Sequence, residues 1–101
     1  MSSIHSKDDL NVRFSPDGPL PRVWLNTPEL KVVLVGLEPG QTAGPHDGPP
    51  AMYHILDGVG WATVGDSRSR LSPGDTIVVE AGTIRGIEAE TRLVFIGARV
   101  P

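Results

Sequence analysis

GDTIVVEAGTIRGIEA, residues 74 to 89, is the stretch whose reading decides the fold. Within it Gly74, Glu80, Gly82 and Arg85 are separated by five, one and two residues. Thr76 to Val79 reads as a short strand, Ala81-Gly82 as a corner, and Thr83 to Ile87 as the strand that follows. An earlier stretch has the same character: GQTAGPHDGPPAMYHILDG, residues 40 to 58. There five residues separate Gly40 from His46, and a strand-like run closes at Gly58.

Working outward, the rest of the chain repeats this rhythm. Leu30 to Leu37 (LKVVLVGL) is a continuous Val-rich run, which predicts a strand buried on both faces. Glu38-Pro-Gly40 breaks it. Val12 to Phe14 and Leu20 to Leu25 are shorter candidates around the turn Ser15-Pro-Asp-Gly18. Trp61 to Val64 and Arg92 to Val100 complete a set of about nine or ten strands, with no sustained helical period. The expected fold is all-β, an antiparallel jelly-roll β-barrel.

Composition agrees. The chain has 101 residues, 39% hydrophobic and 21% charged, with 12 Gly and 10 Pro spread along its length. That is one domain: a flexible N-terminal arm over residues 1–10, then a single barrel domain over residues 11–101. Net charge is −3 with no basic run, which argues against nucleic acid as a partner. No apolar run approaches the roughly 20 residues of a membrane span. Met1 to Leu10 lacks the apolar centre of a signal peptide, so the expected location is cytoplasmic. The absence of cysteine excludes disulfides and thiolate chemistry.

The two glycine-punctuated stretches resemble the two motifs of the cupin superfamily, and the chain looks like a small single-domain cupin. In the first motif Gly40, His46 and Gly58 stand at family positions; in the second, Gly74 and Gly82 do. The resemblance implies a barrel that usually holds a metal through three histidines and a glutamate. Here Gly48, Ala51 and Arg85 occupy the places of the other three ligands, and Glu80 and Ala89 replace a Pro and an Asn. A degenerate ligand set of this kind implies a metal-free barrel with no cofactor.

Strand alternation then places the side chains. Registered on His46, the inward set includes Tyr53, Ile55 and Arg85, and Trp61 is added as a residue able to stack on a ligand. The expected ligand-binding residues are Arg85, His46, Tyr53, Ile55 and Trp61, with His46 as the candidate acid/base. Arg85 is either the planar fork for an anion or one half of a salt bridge to Glu80, Glu88 or Asp57. His54 falls on the opposite face by parity. A one-residue slip in register would bring it beside His46.

Three functions fit. The favoured one is a small-molecule-binding cupin barrel that holds a small anionic organic ligand and acts as a binder or as a cofactor-independent isomerase, cyclase or lyase. The alternative is a metal-dependent dioxygenase or isomerase using His46, His54 and Asp47 for Fe, Mn, Ni or Zn. The third is a non-catalytic interaction domain. A homodimer is expected, because small barrels leave edge strands to protect, and Trp24, Leu25 and Leu30 to Val35 offer excess apolar surface.

Overall fold

A computed structural model describes residues 2–101. Nine strands follow one another: β1 (Arg22–Asn26), β2 (Lys31–Leu37), β3 (Thr42–His46), β4 (Ala51–Asp57), β5 (Gly60–Val64), β6 (Ser67–Leu71), β7 (Thr76–Val79), β8 (Arg85–Ala89) and β9 (Leu93–Arg99). They form two antiparallel sheets, ordered β1-β2-β9-β4-β7 and β3-β8-β5-β6, facing each other as a jelly roll. The expected fold class is the observed one.

The core lies between the sheets. Leu37, Ile55, Leu93 and Phe95 of the first sheet meet Ala62, Leu71 and Ile87 of the second, all nearly or fully buried. Alternation carries this: along β4, Ala51, Tyr53 and Ile55 face inward, while Met52 and His54 face out. Gly58 closes the β4–β5 turn at φ +83°, where a Cβ would stand 1.9 Å from the Arg92 carbonyl oxygen. Only glycine fits there.

Val12 to Phe14 is not a strand. It runs as irregular chain across the outer face of the first sheet, where a Cβ on Gly36 would lie 2.6 Å from the Arg13 carbonyl oxygen and 3.0 Å from the Phe14 ring. Gln41 clips this crossing in place: its side-chain amide donates to the Ser15 carbonyl at 2.6 Å and accepts from the Glu38 N–H at 2.9 Å. Phe14 also lies under the Arg92 guanidinium. The covering explains why β2 is buried on both faces only from Leu34 to Leu37, its C-terminal half. Nearer the N-terminus His5 stacks on Trp24 with ring centroids 3.9 Å apart.

Candidate functional site

The β3–β8 ladder builds one wall of the site. Ala43 pairs with Ile87, then a bulge at Gly44-Pro45 absorbs an extra residue, and His46 rather than Pro45 stands opposite Arg85. The bulge aims His46 at the same interior face as Arg85. Tyr53 projects from β4 on the facing sheet, edge-on to Phe95 at a centroid distance of 5.9 Å. His46, Tyr53 and Arg85 therefore line one inner chamber, closed by Ala43, Ile77 and Ile87. Its volume is about 20 Å³, room for a single water.

Arg85 is 2% exposed and pairs with no carboxylate among the described residues. Its Nε donates to the Thr83 carbonyl at 2.7 Å and its Nη1 to that of Pro49 at 2.8 Å. Its Nη2 donates to the carbonyls of Glu80 at 3.1 Å and Gly48 at 3.3 Å. Four of the five guanidinium N–H groups are thus committed to backbone, leaving one on Nη1. Neither sequence expectation describes this: the Glu80 contact is through its carbonyl, and the Glu88 carboxylate pairs with Arg68 instead. The guanidinium ties the loop before β4 to the corner between β7 and β8. The Gly82 N–H adds a further tie, to the Gly48 carbonyl at 2.8 Å.

Outside the inner chamber the sheets part into a wider mouth of about 370 Å³. His46 and Tyr53 belong to both spaces, and Val33, Val35 and Phe95 extend the apolar wall. Arg99, at the end of β9, stands on its rim. The parity of β9 carries it there, since Phe95, Gly97 and Arg99 share one face. That signal is present in the sequence, but Arg99 is not among the residues singled out from it.

Two residues expected in the lumen sit elsewhere. Trp61 is on the outer face of the second sheet, between Arg68 and Arg70, whose guanidinium carbons lie 4.8 and 5.1 Å from its ring centroid. Its neighbours Gly60 and Ala62 face inward and are buried, so strand parity sends the indole out. Arg68 and Arg70 pair onward with Glu88 and Glu90, forming a charged ladder on that face. The Arg70 guanidinium holds the Glu90 carboxyl below its ordinary range, and Arg92 does the same to Glu38. Ile55 faces inward as expected, but is fully buried in the core and lines neither space.

The alternative ligand set does not assemble. His54 stays on the outer face of β4, with its Nδ1 2.9 Å from the Thr76 hydroxyl, and Asp47 is exposed on the loop after β3. Among the described residues no three His, Cys, Asp or Glu side chains converge on one point. A guanidinium and two residues without ligand atoms hold the remaining family positions, so the residues present do not fit the usual metal of this barrel.

Comparison with known proteins gives the fold its context. No curated protein matches the chain. A conserved Streptococcus pyogenes protein of unknown function is 26% identical, with a TM-score of 0.84 over 99% of this chain and 88% of its own. An uncharacterized Klebsiella pneumoniae protein with a double-stranded β-helix domain is 24% identical, with a TM-score of 0.83 over 97% and 89%. A salicylate 1,2-dioxygenase variant from Pseudoaminobacter salicylatoxidans is 18% identical, with a TM-score of 0.74; this chain covers 27% of it, and 82% of this chain is matched. The last two likenesses concern the fold alone. The family model of the cupin domain matches residues 33–97, most of the barrel, and the chain belongs to the cupin family.

Proposed function

We propose that this cupin is a cytoplasmic small-molecule-binding barrel without a resident metal, holding a small anionic organic ligand in the space between its sheets. The observation that carries the reading is the mouth of about 370 Å³, with apolar walls and His46 and Tyr53 on its inner side. A largely apolar recess with a few convergent polar groups is the usual make-up of a small-molecule site. His46 is exposed and stands opposite Arg85, so an imidazole that can exchange protons faces the ligand next to a buried positive charge. That pair suits isomerase, cyclase or lyase chemistry, with His46 moving the proton. The arginine's single uncommitted N–H, with its charge, would favour a developing oxyanion.

The test is a small-molecule screen read by thermal shift, with His46→Ala beside the parent chain. Small organic acids should raise the melting temperature of the parent. An enzyme would lose turnover in His46→Ala more than affinity, whereas a binder would lose affinity alone. A screen in which neutral and anionic compounds alike leave the melting temperature unmoved would end the reading. Stoichiometric Fe, Mn, Ni or Zn that survives a chelator and is lost in His46→Ala would replace it with the metal-dependent one.

The proposal extends to a homodimer formed through the outer face of the first sheet. Val78 is 74% exposed on edge strand β7, directly opposite Met52 in the ladder, which is 39% exposed. A bare apolar edge of this kind favours pairing with a second copy. Sedimentation at micromolar concentration should give a dimer in the parent and a monomer in Val78→Lys; a monomeric parent refutes it.

A further inference from the structure

The mouth has a feature that the proposed function does not use. Arg99 and Lys31 are directly opposite each other in the β2–β9 ladder, on the sheet face shared by Val33, Gly97 and Tyr53. Like charges placed directly across a ladder repel. Among the described residues the ion pairs are Arg68–Glu88, Arg70–Glu90 and Arg92–Glu38; neither Arg99 nor Lys31 takes part in one. Arg99 lines the apolar-walled mouth, and Lys31, its ladder partner on the same sheet face, stands beside it, so two cations outside these ion pairs adjoin the recess.

We infer that the mouth takes an organic carboxylate with an apolar, ring-sized body, the carboxylate held by Arg99 and Lys31 and the body lying against Val33, Tyr53 and Phe95. This rests on the ligand-binding reading above and reassigns its charge recognition. The inner chamber beside Arg85 holds about 20 Å³, which is too small for a carboxylate with a body attached, and most of the Arg85 fork is occupied by carbonyls. Arg99 has a free planar fork, the geometry that grips a carboxylate through two parallel hydrogen bonds. Lys31 adds a point charge on the neighbouring strand. With the acid at the rim, the body reaches inward to His46 and Tyr53, so that any proton transfer occurs on the body and not at the anchoring carboxylate.

The experiment is an NMR titration of the full ¹⁵N-labelled chain with sodium benzoate, benzyl alcohol and inorganic phosphate at millimolar concentration. Benzoate should shift amides of β2, β9 and His46 saturably, and binding should weaken with added salt. Arg99→Gln should weaken it about tenfold and Lys31→Gln about threefold, the larger loss falling on the residue able to make two charge-assisted bonds. Benzyl alcohol and phosphate, each lacking one half of the recognised ligand, should bind much more weakly. Benzyl alcohol binding as tightly as benzoate overturns the inference, and so does benzoate affinity unchanged in the Arg99→Gln, Lys31→Gln double variant. In the second case the ligand reading survives with its anion held elsewhere. If none of the three probes moves the mouth resonances, both fall together.

Discussion

Arg85 and Arg99 stand on either side of the same two residues, His46 and Tyr53, in opposite circumstances. Arg85 is buried, has no acidic partner among the described residues, and is hydrogen-bonded to four backbone carbonyls. Arg99 is exposed at the rim, opposite another cation. A buried guanidinium can persist without a counter-anion only if its donors are satisfied, and satisfying them with carbonyls from separate segments makes it a clamp. A cation beside an apolar recess, with no such commitments, is available to a ligand. The same residue type is therefore architecture at one position and, in our proposal, recognition at the other.

The sharpest way to break this contrast is to remove the clamp. Arg85→Met takes a donor from four part-buried carbonyls, of which Gly48 and Glu80 keep the N–H groups of Gly82 and Thr83 while those of Thr83 and Pro49 are left bare, and should cost about 3 kcal/mol. In a domain of this size that lowers the melting temperature by more than about 10 °C, visible by circular dichroism. A melting temperature within a degree or two of the parent would show that the carbonyl contacts carry little, and would return Arg85 to the role of ligand fork.

A smaller effect belongs to the outer ladder. Trp61→Ala removes the ring between Arg68 and Arg70 and should lower the melting temperature by a few degrees. It should leave the mouth resonances where they are, because the indole faces away from the lumen. A change in ligand affinity in this variant would mean that the two faces of the second sheet communicate. At the rim the expected stability change is smaller still: Arg99→Gln should move stability by no more than about 0.5 kcal/mol, with relief of the repulsion from Lys31 as the favourable part. A loss as large as that of Arg85→Met would make Arg99 a second clamp.

The smallest effect is in the pH dependence. Arg70 lowers the folded-state pKa of Glu90 below the ordinary 4.5, chiefly through the side-chain hydrogen bond. A depressed carboxylate contributes stability above its unfolded pKa and loses it as pH falls through the folded value. The acid limb of a melting-temperature profile should therefore begin to drop below about pH 4.5 and be slightly shallower in Glu90→Gln. Because the pair is solvent-exposed, salt should erase most of the difference. Identical acid limbs at low ionic strength would remove the pair from the account.

Period-two alternation made much of this site legible in advance. It places Tyr53 and Ile55 inward and His54 outward from β4 alone, because in a strand each side chain's face follows from its neighbour's. The same rule, applied to Gly60-Trp61-Ala62, sends the indole outward; aromatic character alone suggests the lumen for Trp61, and the parity of its small neighbours overrides it. Val12 to Phe14 has a strand's composition, yet it lies over Gly36 where no ladder partner is offered. Whether an apolar segment pairs or merely covers depends on what lies beside it.

By itself, then, the amino-acid sequence determined most of the strands, their corners, the family and the burial of a guanidinium at Arg85, since each follows from local periodicity, glycine placement and motif spacing. Only the tertiary structure decided what that guanidinium touches, that the bulge at Gly44-Pro45 turns His46 toward it, and that Lys31 meets Arg99 across the β2–β9 ladder. Those depend on contacts between residues far apart in the chain, and the closing of two sheets on one another sets them all at once.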